Sequence, residues 1–263
     1  MKGGRRGPPP PLMPQARSIA LECHGCFDII GDVHGCHDLL VRLLEELGYH
    51  EGVHEQGRCL VFVGDLVDRG PEVLATLRLV RSFVESGRAL AVMGNHDDKL
   101  RRWLMGRRVQ VTHGLDRSIA ELSGLTAVER QGLAEFLGGL PTQLVLDEGR
   151  LVVAHAGLYE ELQGVDSGAA RRMALYGVPT GEKTVEGLPV RRDWAADYRG
   201  RALVVYGHTP VPEPRWLNNT VNIDLGAVYG GALAALRYPE RTVVRVAANS
   251  SGSADSGSSR CNR

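Results

Sequence analysis

The sequence predicts a layered α/β domain, on three observations. Short, mostly apolar runs, Phe27-Asp28-Ile29-Ile30, Leu60-Val61-Phe62-Val63 and Ala89-Leu90-Ala91-Val92-Met93, have the length and composition of buried strands. Stretches with helical spacing separate them. Each run ends in a glycine followed by polar side chains, and the ends of buried strands are where α/β proteins place their chemistry. Leu39, Leu40, Leu43, Leu44 and Leu47 predict a helix from His37 to Leu47, stopped by Gly48. A second helix is predicted over 72–85, with Pro71 at its first turn, where a missing N–H costs nothing. A third runs from Asp97 to Met105. The order β-α-β-α-β-α is that of a sheet covered by helices.

The middle of the chain is more helical. Leu115 to Leu122 has apolar positions near helical spacing, and Thr126-x-x-Glu129 reads as a capping box before a helix reaching about Leu137. Strands are then expected near 143–147, 151–155, 202–207, 221–225, 231–237 and 242–247. Residues 159–200 read as a long polar insert carrying Arg171, Arg172, Arg191, Arg192, Arg199 and Trp194. A connection of that length is usually functional or without its own order. Three segments are expected: a flexible Pro/Gly/Arg-rich tail over 1–24, one domain over 25–247, and a disordered Ser/Gly-rich tail over 248–263.

Among the 263 residues, 31 basic and 31 acidic side chains cancel. Zero net charge removes a general electrostatic case for nucleic acid or membrane, while leaving room for a local basic groove. No apolar run approaches the ~20 residues of a membrane span, and the start lacks the apolar centre of a signal peptide. Five cysteines in a chain of this length do not form a disulfide framework. Free thiols and a cytoplasmic location are therefore expected. Cys23-His24-Gly25-Cys26 is a lone C-x-x-C without a second half, a weak case for zinc. Gly177 to Thr184 resembles a phosphate loop only superficially, because its second glycine comes one place early and no strand precedes it.

The chemistry concentrates at five strand ends: Gly31-Asp32-Val33-His34-Gly35, Gly64-Asp65-Leu66-Val67-Asp68-Arg69-Gly70, Gly94-Asn95-His96-Asp97, His155-Ala156-Gly157 and Gly207-His208-Thr209-Pro210. One histidine after a strand is more often structural than ligating, but five such ends in one domain point to a metal. Carboxylates, imidazoles and an amide without thiolate suit Mn²⁺, Fe or Zn. The supply of ligands is too rich for one ion. A two-metal site clamps a phosphoryl group and activates water, and Arg69 offers a forked phosphate contact. No G-x-S-x-G or C-x5-R nucleophile motif competes.

Together GDVHG, GDLVDRG, GNHD, HAG and GHTP resemble the PPP-type binuclear metallophosphoesterases, from about Phe27 to Val246. The resemblance implies a calcineurin-like β-sandwich, two central mixed sheets flanked by helices in a single domain. It implies two divalent ions, Mn²⁺ first, with Fe, Zn, Ni or Co as alternatives. Asp32, His34 and Asp65 would hold one ion, and Asp65, Asn95, His155 and His208 the other. His96 would be the general acid, oriented by Asp68, with Arg69 on the phosphate. Asp224 is a further site candidate, with a structural salt bridge as the alternative. Asp97 stands where protein phosphatases carry Glu, which points to the bacterial branch.

Segments 112–117, 174–177, 187–191, 198–202, 205–214 and 218–224 further resemble the phosphatase domain of bacterial polynucleotide kinase-phosphatase, an RNA end-healing enzyme. The implied substrate is a 2′- or 3′-phosphate, or a 2′,3′-cyclic phosphate, at an RNA end. Arg172 and Arg191 would meet the backbone, and kinase and ligase modules would act as partners. Protein Ser/Thr phosphatase or symmetrical diadenosine tetraphosphatase activity is the alternative. A binding module that keeps the fold without the reaction is a third reading, disfavoured by the intact ligand set.

Overall fold

A computed structural model describes residues 25–183 and 189–248. Residues 1–24, with Cys23 and His24 of the C-x-x-C, residues 184–188 of the insert, and residues 249–263 lie outside the described residues.

Two five-stranded mixed sheets face each other. The first is built on β1 (Phe27–Ile30), β4 (Cys59–Phe62) and β5 (Ala89–Ala91), which run parallel. The antiparallel pair β13 (Ala232–Tyr238) and β14 (Thr242–Ala247) extends it beyond β1. The second sheet is built on β7 (Leu151–Ala154), β10 (Leu203–Tyr206) and β12 (Thr220–Asn222), also parallel. Antiparallel β6 (Gln143–Leu146) and β11 (Arg215–Leu217) close its edges. A short hairpin, β2 (Tyr49–His50) and β3 (Val53–His54), stands outside both.

Side chains alternate across a strand, and here both faces are covered, which explains the continuous apolar runs. Phe27, Ile29, Val61 and Leu90 of the first sheet meet Leu144, Leu151, Val153, Leu203, Val205 and Val221 of the second. The alternate residues Ile30, Leu60 and Phe62 face a helical layer. That layer contains α1 (His37–Leu47), α2 (Val73–Glu85), α3 (Asn95–Leu104), α4 (Leu115–Leu122) and α5 (Ala127–Gly139). Gly48 ends α1 at φ 87°, a conformation that suits glycine. The expected capping box starts α5: Glu129 N donates to Thr126 Oγ1 at 3.3 Å, and Thr126 N donates to Glu129 Oε2 at 2.9 Å.

The insert departs from expectation. It folds into α6 (Gly168–Tyr176), the hairpin β8 (Pro179–Lys183) and β9 (Pro189–Arg191), and α7 (Trp194–Asp197). Ala170, Met173, Ala174, Trp194, Ala195 and Tyr198 are buried, most of them in a third core against the outer face of the second sheet. Those few apolar positions are spread among arginines, so no periodic face shows in the sequence. The α3 boundary also moves, from Asp97 to Asn95, because Gly94 N donates to Asp97 Oδ2 at 2.9 Å and caps the earlier turn. Cys26 and Cys36 are free thiols, but Cys59 is disulfide-bonded, which corrects the expectation of free thiols throughout. No helix among the described residues is long and apolar enough to cross a membrane.

Candidate metal centre

Each sheet has three adjacent parallel strands, so their carboxyl ends line up. The first sheet presents Asp32 and His34 after β1, Asp65, Asp68 and Arg69 after β4, and Asn95 and His96 after β5. The second presents His155 after β7, His208 after β10 and Asp224 after β12. The turns are tight. His34 N donates to Asp65 O at 2.8 Å, and Gly207 N donates to His155 O at 2.9 Å. His34, Asp65, Asp68, Arg69 and His208 all have positive φ, between 46° and 72°. Such backbone strain collects where function over-determines the geometry. A side chain at Gly94 would strike the Asp65 carboxylate, and one at Gly207 the Asp32 carboxylate.

Asp65 sits in the middle. Its Oδ2 is 3.5 Å from His34 Nε2 and 3.3 Å from His155 Nε2. Donor atoms of His34, Asp65 and His96 lie within 4.8 Å of one another, and so do those of Asp65, His155 and His208. Asp65 therefore belongs to both groups. Asn95 Oδ1 is 2.9 Å from His155 Nε2, which places the amide in the second group. Asp32 joins from the side, its carboxylate accepting His208 N at 3.0 Å. His96, not expected as a ligand, completes the first group.

These donors fit a divalent cation. His34 Nδ1 donates to Val67 O at 2.7 Å and His155 Nδ1 to Val63 O at 3.1 Å. A carbonyl can only accept, so the proton sits on Nδ1, the usual outer anchoring of a metal-binding imidazole, and Nε2 turns to the cluster. His208 Nδ1 lies 2.9 Å from His155 Nε2, while its own Nε2 is buried without a partner. Burial pushes His34 down to about 3, keeping it neutral. Burial works against a charged His155, yet the Asp65 carboxylate raises it to about 9. Burial and the adjacent Asp224 hold Asp32 well above the usual carboxylate range. Burial, with Asp65 nearby, pushes Asp224 up to about 6. Crowded carboxylates that attract a proton attract a metal ion for the same reason.

A second set of contacts surrounds His96. Its Nδ1 is 2.6 Å from Asp68 Oδ2, and its Nε2 points the other way, toward Arg69. Arg69 reaches His96 Nε2 at 2.9 Å and also His34 Nε2, while its guanidinium carbon stands 5.4 Å from the centre of the exposed Tyr229 ring. Ser118 and Tyr229 escaped the sequence reading, which took Asp97 only as a mark of the bacterial branch. Ser118 Oγ donates to Asp68 Oδ1 at 2.5 Å and accepts Asp68 N at 3.0 Å. Asp97 Oδ1 accepts Leu66 N at 3.0 Å, tying α3 to the Asp65 turn. Nothing local marks Ser118, since its partner is 50 residues away. The first-turn position of Asp97 was a usable signal.

The insert arginines divide. Arg191 donates from Nε to Tyr176 O at 3.0 Å and lines a cavity of about 300 Å³ with His208 and Asn222. Arg172 is exposed on α6, away from the lining of that cavity. Asp224 is buried at the centre, bonded to Gly226 N at 3.0 Å, and makes no salt bridge to a basic side chain among the described residues.

The chain is 50% identical to bis(5′-nucleosyl)-tetraphosphatase PrpE (asymmetrical) of Anoxybacillus flavithermus over 229 residues, 84% of this chain and 93% of the relative. It is 46% identical to the protein of the same name from Bacillus subtilis over 228 residues, with the same coverage. Its structure matches that of a candidate diadenosine tetraphosphatase with a TM-score of 0.63 at 26% identity, covering 86% of this chain and 95% of that one. The relatives are named tetraphosphatases, so the finer resemblance to the RNA end-healing enzyme, with its RNA 3′ ends and its kinase and ligase partners, is corrected. Ala174, Leu175, Tyr198 and Ala202, which carried part of it, are buried core residues. The coarser expectation holds: with residues 27–230 matched by the model of the calcineurin-like phosphoesterases, the chain belongs to that family of metal-dependent hydrolases.

Proposed function

We propose that the chain hydrolyses bis(5′-nucleosyl) tetraphosphates and related dinucleoside polyphosphates, cutting them into unequal halves. The reaction class rests on Asp65, common to both groups of metal donors. The substrate rests on relatives 46–50% identical over 84% of the chain that are named for it.

Asp32, His34 and Asp65 would hold one divalent ion, and Asp65, Asn95, His155 and His208 the other. Bound there, the ions polarise the phosphoryl oxygens and lower the pKa of water. The protein supplies the remaining groups. Asp68 accepts a hydrogen bond from Nδ1–H of His96, which aims the Nε2 proton at the departing oxygen and makes the ring a general acid. Ser118 fixes Asp68 from the other side. Arg69, which spans His34 and His96, offers its fork to a non-bridging phosphate oxygen. Arg191 stands over the His208 side as a second cation for the substrate.

The test is a substrate panel with the Mn²⁺-loaded protein: diadenosine tetraphosphate, 3′-phosphorylated and cyclic-phosphate RNA, and a phosphopeptide. Diadenosine tetraphosphate should give the highest kcat/KM and release adenosine mono- and triphosphate. A higher kcat/KM on RNA ends or phosphopeptide would overturn the assignment, and two diphosphates as products would overturn the unequal cut.

A further inference from the structure

Beyond His96 the surface opens into a cavity of about 410 Å³ lined by Lys99, Arg102, Arg108, Gln110, Thr112 and His113, with Val109 at its side. Three permanent cations and an imidazole share this lining, and no carboxylate is among them. The cavity is joined to the reaction centre. Lys99 is three residues after His96 on α3, one turn further along the same side and about 4.5 Å of rise away. The opposite wall, 107–113, leads into Gly114, whose carbonyl accepts Arg69 N at 3.2 Å. Lys99 Nζ is steadied by Thr112 O and Thr112 Oγ1, both at 2.9 Å, which leaves one of its three N–H groups to give. Arg102 is anchored through Nε to Asp98 Oδ2 at 3.1 Å.

We propose that this groove is a polyphosphate subsite that holds the departing, phosphate-rich side of the substrate. The proposal rests on the dinucleoside polyphosphate reading given above and adds an orientation to it. Of these cations Asp98 balances Arg102 alone, and the like charges that remain together are costly unless an anion joins them. Burial and the neighbouring Arg102 and Arg69 push Lys99 below its ordinary value, and burial with Lys99, His96 and Arg69 does the same to His113. A single phosphate over the metal centre needs none of these groups, whereas a chain of phosphates leaving past His96 enters them directly.

The orientation fixes the bonds. Water oxygen joins the phosphorus of the one-phosphate half, which remains at the metal centre. The bond from that phosphorus to the bridging oxygen breaks, and the electron pair stays with that oxygen. It leaves as the terminal oxygen of the nucleoside triphosphate, with His96 Nε2 giving the proton, and the water proton passes to solvent. In ¹⁸O-labelled water the label should therefore appear in the monophosphate. Label in the triphosphate would overturn the orientation.

The subsite has its own test, independent of the true substrate. Inorganic tripolyphosphate and orthophosphate are compared as competitive inhibitors of nitrophenyl phosphate hydrolysis by the Mn²⁺-loaded enzyme. Tripolyphosphate should bind more tightly, and the ratio of the two inhibition constants should fall about tenfold in Arg108→Ser and further in Lys99→Met/Arg108→Ser. The same variants should lose about tenfold more kcat/KM on diadenosine tetraphosphate than on nitrophenyl phosphate. An unchanged inhibition ratio would overturn the subsite even if the tetraphosphate is cleaved. A fallen ratio in an enzyme that does not cleave the tetraphosphate would keep the subsite and defeat the substrate reading instead.

Discussion

Ser118 Oγ lies 2.5 Å from Asp68 Oδ1, on the opposite oxygen from the one that meets His96. Both Ser118 and Asp68 are fully buried. Ser118→Ala leaves a buried carboxylate oxygen without its donor, at about 1–3 kcal/mol. The imidazole behind it should then be less well aimed. We expect Ser118→Ala to lose about fivefold in rate, the equivalent of ~1 kcal/mol, and His96→Ala ~10²–10⁴-fold. Both losses should be larger on phenyl phosphate than on nitrophenyl phosphate, whose leaving group needs no proton. Equal losses on the two esters would remove His96 from the acid role and Ser118 from its support.

The motifs at the five strand ends were legible because each combines an apolar run, a glycine and a polar side chain within a few residues. Asp32, His34, Asp65, Asn95, His155 and His208 all carry that signal and stand at the strand ends the structure brings together, whereas the two-sheet frame came from the family resemblance. What was not legible is what depends on distance in the sequence. Ser118 meets Asp68 only through the packing of α4 on the β4 turn. The cations of the groove come from α3 and from the following loop, and they look like a solvated charge run in one dimension. The insert read as a loop because its buried face is split between two short segments, with Met173 in α6 and Trp194 and Tyr198 in and just after α7. The segments that suggested RNA ends include the packing of that insert.

Asp65 is the one carboxylate within both donor groups, so its loss should release both ions at once. Metal analysis of Asp65→Ala should show neither ion retained after gel filtration, with activity at background. His34→Ala, on one side only, should weaken one ion and spare the other. Undiminished metal in Asp65→Ala would sink the shared site.

Metal removal should also change how stability follows pH. In the stripped protein His155 titrates at about 9, above its ordinary 6.5, and buried Asp97 at about 7, above 3.8. The folded state then binds more protons than the unfolded one, so stability falls as pH rises. His34 and His208 are shifted downward, so their opposite effect is confined below 6.5. The clean window is therefore pH 6.5 to 9, where the stripped protein should lose more than about 1 kcal/mol, the worth of roughly one pKa unit. Metal ions replace the proton as the positive partner of Asp65, so the loaded protein should be nearly flat across the window. Thermal melts with chelator and with Mn²⁺ at several pH values measure it, and parallel curves would contradict it.

Arg58 provides the contrast, a buried ion pair at the end of β1 away from the metal donors. Its Nε reaches Asp28 Oδ1 at 3.0 Å and Oδ2 at 3.1 Å, Nη1 reaches Glu240 Oε1 at 2.8 Å, and Nη2 reaches Phe27 O and Tyr238 O, each at 3.1 Å. Tyr49 OH donates to Asp28 Oδ2 at 3.0 Å. Arg58→Met removes the cation that forks onto Asp28 and leaves the fully buried carboxylate with the Tyr49 phenol and with Arg237, whose Nε stands 3.5 Å from Oδ1, at about 3–5 kcal/mol. Against a total of ~5–15 kcal/mol for a domain, the melting temperature should drop steeply. Turnover by the protein that remains folded at low temperature should hold, because neither residue approaches the reaction. Replacing both, as Arg58→Met/Asp28→Leu, removes the stranded charge and should recover much of the loss. A double variant as unstable as the single one would mean that Arg58 acts through its bonds to the Phe27 and Tyr238 carbonyls, and not through its charge.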